Sequence, residues 1–150
     1  MHFSGAPLIP APRARVWGHL LDPAFVAASA PAVESVQVLD PTHYRVVSAL
    51  GVGFLKVRFV LAIELVDLLE PESARMVASG TAPGTAVRFE SRIRLEELDP
   101  RSVRLHWEAW SEMRGAAAGL GHSLLEGVVR RLTQLFWQDF ARRAGAAARP

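Results

Sequence analysis

Five histidines, His2, His19, His43, His106 and His122, have the broadest chemical range in this 150-residue chain. A neutral imidazole can bind a metal ion or act as the base that activates a nucleophile. No two of them stand in an H-x-H or H-x-x-x-H arrangement that would bring two ring nitrogens to one ion, so no metal site is expected. A serine nucleophile such as Ser4, Ser29, Ser48, Ser79, Ser91 or Ser111 would need activation by a distant histidine, because no G-x-S-x-G turn is present. Gly51 and Gly53 lie between two strand-like segments without a third glycine or a Walker lysine. The pair therefore reads as a hairpin connection using positive φ, not as a phosphate cradle. The chain has no cysteine, which excludes thiolate nucleophiles, disulfides and cysteine-ligated zinc. The sequence thus assigns no catalytic residue, no metal and no cofactor.

Composition fits one soluble domain over residues 1–150, half of it hydrophobic, and a chain of this size buries about 70% of its unfolded surface. The formal net charge is only +2, Lys56 is the sole lysine, and the signs mix along the chain with no basic run among aromatics. Nucleic acid is therefore not an expected partner. The most apolar stretch, Val60 to Leu69, is interrupted by Glu64 and Asp67 and is too short to span a membrane. The start of the chain lacks a basic-then-apolar signal pattern, and a cytoplasmic location is expected. Near the other end Arg130, Arg131, Arg142, Arg143 and Arg149 face only Asp139. That excess suits a transient, salt-sensitive contact with an anionic membrane and so a peripheral location, with the residues past Gly145 frayed.

The positioning elements follow from period. His2 to Ile9 reads as extended, and Pro10-Ala11-Pro12 starts a short helix bearing Val16, Trp17, Leu20 and Leu21. A second short turn runs through Phe25 and Val26. The period then becomes two: Val33–Leu39, Tyr44–Ala49, Lys56–Leu68, Arg75–Gly80, Thr85–Leu95 and Val103–Met113, separated by turn clusters. The last two strands alternate, with Phe89, Ile93, Leu105 and Trp107 on one face and charged residues on the other, as in an antiparallel sheet with one wet side. From Leu120 to Arg142 a 3.6-residue period takes over. Its apolar stripe of roughly 200° exceeds what one contact surface requires. The fold class is α+β. Trp110 falls by parity on the charged face, where Arg92 or Arg104 could sit over its ring. Trp137 falls on the polar side of the helix, and Asp139 near the middle of its stripe.

This order of elements, with Phe3-Ser4-Gly5, Ile9-Pro10-Ala11-Pro12, Leu20-Leu21-Asp22-Pro23, Gly51-Val52-Gly53-Phe54-Leu55-Lys56, Pro83-Gly84 and Gly119-Leu120-Gly121, resembles the START-like helix-grip (SRPBCC) superfamily. Within it the chain resembles the CoxG family of carbon monoxide dehydrogenase. It departs at Pro31-Ala32, where the family has Pro-Gly, and at Phe54, where proline is more usual. The resemblance implies a seven-stranded antiparallel sheet wrapped around the C-terminal helix, with two short helices after the first strand and an apolar pocket inside. It further implies a binding or carrier protein for a small hydrophobic molecule (lipid, quinone or polyketide-like), accessory to molybdenum hydroxylase subunits of the carbon monoxide dehydrogenase type. The alternative is a polyketide cyclase or hydrolase using the same pocket. The expected pocket lining is Phe25, Phe54, Phe59, Leu61, Met76, Phe89, Trp107, Leu124 and Val128, each of which could equally be ordinary core.

Overall fold

In the computed structural model, residues 1–52, 54–115 and 122–149 are described, position 52 and positions 122–124 as backbone only. The chain opens with β1 (His2–Gly5) and β2 (Leu8–Ile9), both antiparallel to β8 (Ser102–Gly115). They form one edge strand broken at Pro7, which has no N–H to give the ladder but accepts through its carbonyl from the Leu105 amide at 3.0 Å. Next come α1 (Arg13–Leu20) and α2 (Pro23–Ala28). The second helix starts where Asp22 caps it, accepting from the amides of Ala24 and Phe25 at 3.1 and 3.3 Å. The meander β3 (Val33–Asp40), β4 (His43–Val52), β5 (Leu55–Leu69), β6 (Ser73–Ala82), β7 (Thr85–Asp99) and β8 completes a sheet of order β1-β8-β7-β6-β5-β4-β3. The long helix α3 (His122–Ala148) lies on it. With the broken edge strand counted once the sheet has seven strands, the helix-grip architecture.

Register decides which residues face the helix. Phe89 stands opposite Ser111, Ile93 opposite Trp107 and Leu95 opposite Leu105, so these side chains share the inner face, as the alternation predicts. On the outer face Arg75 stands directly opposite Arg92, a like-charge pair that would cost stability alone. Asp67 and Glu90 neutralise Arg75 at 2.6 and 2.8 Å, and Arg92 lies 5.4 Å from the centroid of the Trp110 ring. Trp110 also stacks on His2, with centroids 5.3 Å apart.

Three expectations change. Gly51 pairs with Lys56 inside the β4–β5 ladder, and the positive-φ glycines among the described residues are Gly84 and Gly115; Gly53 lies outside them. Trp137 is not on a polar side: it stacks on Trp107 at 6.0 Å and meets Phe136 and Phe140 edge-on. The wide stripe of α3 includes it because the helix has two packed surfaces. The helix also continues to Ala148 instead of fraying after Gly145. Ala144 is fully buried, a Cβ on Gly145 would come within 2.7 Å of Pro10 Cγ, and Arg15 donates to the Ala147 carbonyl at 3.0 Å, so its last turns are held against the N-terminal segment.

Candidate functional site

The inner face has two halves. Toward the C-terminal half of α3, Ile9, Val16, Trp17, Leu95, Val103, Leu105, Phe140 and Ala144 form a contiguous core, most of them with no exposed surface. Toward the α3 N-terminus the inner face differs. Phe59 and Ala78 are buried, but Leu61, Ile63, Met76 and Phe89 on β5, β6 and β7 remain partly accessible, as does Val128 on the helix. The backbone of α3 makes its main contacts with β2 and β4, toward the flanks of the sheet, rather than with the central strands. Between those flanks the inner face carries small side chains at Ala78, Ser91 and Ala109. At Gly80 there is no space for a side chain: a Cβ would meet the Val60 carbonyl oxygen and Leu61.

The expected lining residues divide accordingly. By register Phe59, Leu61, Met76 and Phe89 share the inner face, and Val128 is a half-buried residue of α3. Trp107, stacked on Trp137, stands at the border between the halves. Phe25 belongs to the sealed end, where it meets Phe140 edge-on. Phe54 is 97% exposed next to the β4–β5 turn, apart from these residues. The side chain of Leu124 lies outside the described residues. Ile63, Ala78, Ser91 and Ser111 share the open half without having been singled out as lining. Periodicity marks Ile63, but three small side chains send no hydrophobic signal.

The sealed end carries a polar network. Ser29, 4% exposed, donates to Asp139 at 3.0 Å and accepts from Arg143 at 2.8 Å, while Arg143 also donates to the Phe25 carbonyl at 2.6 Å. Arg142 donates to the other Asp139 oxygen at 2.6 Å and, as the main cause, holds that carboxyl below its usual pKa. Asp139 thus has arginine and serine partners at the edge of the core. Of the C-terminal arginines, Arg143 turns inward, Arg142 pairs with Asp139 and Arg130 pairs with Glu126 at 2.9 Å.

His19 stacks on Phe25, centroids 3.9 Å apart, with the Arg143 guanidinium 4.0 Å from the same ring's centroid. Its Nε2 is buried with no hydrogen-bond partner among the described residues. Desolvation, opposed by Asp22 and reinforced by Arg143 and Arg15, lowers its pKa below 6.5. The unfolded chain then binds the proton more tightly, so this stability is present above the unfolded pKa and falls as pH drops from 6.5 toward the folded value. His43, held by Asp40 at 2.8 Å, has a raised pKa and acts oppositely: its contribution is present below 6.5 and lost as pH rises through its folded pKa. His19→Phe is expected to flatten the fall in melting temperature between about pH 7.5 and 5.5. An unchanged profile would show that His19 is not responsible.

Two open grooves, of about 500 and 790 Å³, lie on the outer face, walled by charged side chains such as Arg88, Glu90 and Glu112, or Arg75, Arg92 and Arg94. No helix residue among those described lines either, and both grooves lie open to water on the charged side of the sheet. Among the described residues no three His, Asp or Glu cluster as metal ligands, and no helix is long and apolar enough to cross a membrane.

A curved antiparallel sheet gripping one long C-terminal helix, with two short helices after the edge strand, defines the START-like helix-grip class. The chain belongs to the carbon monoxide dehydrogenase G-subunit (CoxG) family, whose model matches residues 5–145. Solved structures with the same fold include a conserved protein from Geobacillus kaustophilus (TM-score 0.88, 19% identity, 99% of this chain and 98% of that one). The Zhui aromatase/cyclase from Streptomyces sp. R1128 is also similar (TM-score 0.76, 21% identity, 99% and 96%). So is a START superfamily protein from Mycobacterium smegmatis (TM-score 0.74, 11% identity, 97% and 98%). Among curated proteins, none matches the sequence.

Proposed function

We propose that the protein binds a small hydrophobic molecule between the sheet and α3, against Leu61, Ile63, Met76, Phe89 and Val128. One observation carries this reading: apolar side chains on the covered face of the sheet stay partly accessible while the other end of the same face is sealed. A lipid, quinone or polyketide-like molecule fits such a surface. Family membership supports a carrier accessory to a molybdenum hydroxylase of the carbon monoxide dehydrogenase type. Membrane contact through the arginine-rich end rests mainly on Arg131 and Arg149, because Arg130, Arg142 and Arg143 are engaged by other groups.

Likeness to an aromatase/cyclase favours the enzymatic alternative. Against it, no histidine or carboxylate lies with Leu61, Met76 and Phe89 on the inner face of the open half among the described residues, and Ser111 has no histidine partner there. Native mass spectrometry of freshly purified protein tests the proposal. The expected result is an added mass that dissociates on denaturation in organic solvent. A bare chain that also fails to take up apolar fluorophores would overturn it.

A further inference from the structure

We infer that Ser111 reads a carbonyl or hydroxyl oxygen on the bound molecule, so that the ligand is an oxygenated apolar compound and not a plain hydrocarbon. This rests on the binding reading above. Ser111 lies on β8 with its side chain on the inner face, opposite Phe89 on β7 and two residues from Ala109. Its Oγ is buried, yet no hydrogen-bond partner lies within reach among the described residues. Its backbone is fully used: the amide donates to the Met1 carbonyl at 2.9 Å and the carbonyl accepts from the Met1 ammonium at 2.7 Å. The strand is therefore pinned, and the hydroxyl alone is left over, beside Phe89 at the open half.

A buried hydroxyl without a partner costs stability, and serine could be replaced by alanine there with no loss of packing. A polar atom kept at such a place is explained when it meets its partner only in the bound state. Discrimination follows because only a ligand carrying the oxygen supplies the hydrogen bond that this already desolvated serine lacks. A serine hydroxyl both donates and accepts, which admits a ketone or an alcohol. The flanking Phe89 face suits a ring carrying that oxygen.

The test compares acetylnaphthalene with ethylnaphthalene, near-isosteric probes that differ by one carbonyl, on wild type, Ser111→Ala and Ser111→Cys. Wild type should bind the ketone about fivefold to tenfold more tightly than the hydrocarbon. Ser111→Ala should abolish that ratio with ethylnaphthalene affinity unchanged, and its ligand-free melting temperature should hold or rise. Ser111→Cys, which keeps the shape but is a weak donor, should lie between them. A ratio near one in wild type, or an undiminished ratio in both variants, overturns the role of Ser111 while leaving the pocket standing. If neither probe binds wild type, the pocket reading fails and this inference fails with it.

Discussion

Phe140→Ala lowers the unfolding free energy by about 3–5 kcal/mol, measured by urea denaturation, whereas Phe89→Ala costs only about 1–2 kcal/mol. Both are phenylalanines facing the same interface between sheet and helix. Phe140 has no exposed surface and touches Phe25, Phe136 and Trp137, so truncation leaves a cavity that the rigid surroundings cannot close. Phe89 is partly accessible already, and its truncation removes less buried area. The order reverses in binding: Phe89→Ala weakens the uptake of an apolar fluorophore and Phe140→Ala, assayed where it is still folded, does not. Equal stability costs at the two positions would mean that the grip is packed uniformly and holds no pocket.

The division between the halves explains which parts of the molecule are legible in the chain. Alternation over Thr85–Leu95 and Val103–Met113 reveals the inner face because a one-residue slip would carry Phe89, Ile93, Leu105 and Trp107 into water. The strands exceed those bounds, reaching Asp99 and Gly115, since hydrogen bonding continues past the last alternating side chain. A helical wheel misplaces Trp137 because it assumes one buried surface, whereas α3 packs both on the sheet and on the N-terminal helices. The same assumption hides the C-terminal turns: alanine and glycine from Ala144 to Ala148 have little apolar bulk, but smallness is what allows Pro10 to approach Gly145. The lining of the proposed pocket is the least legible part. Phe25 and Phe54 look like lining because they are large and apolar, yet one is core and the other is 97% exposed. The proposed room rests instead on an absence of bulk at Ala78 and Ser91.

That absence sets the last prediction. Ala78→Leu adds three carbons between Ile63 and Phe89, its register partners on the neighbouring strands. Ala78 itself is 9% exposed and both partners are only partly buried, so in the proposed pocket the longer side chain has free volume to enter. Overpacking a filled core costs about 1–3 kcal/mol. Entering existing space instead buries a few methylenes of the new leucine, each contributing about 0.8 kcal/mol if fully covered, which offsets the strain of ordering it. The denaturation midpoint of Ala78→Leu should therefore stay close to wild type or exceed it, while binding of an apolar probe is lost because the leucine occupies its place. A solid core predicts the opposite pair of results, a clear drop in midpoint with no probe binding to lose in wild type. Stability and binding thus move independently only if the space between sheet and helix is real. Gly80 cannot serve as the site of this plug, because its Cβ would strike the Val60 carbonyl backbone and destabilise the protein whether or not a pocket exists.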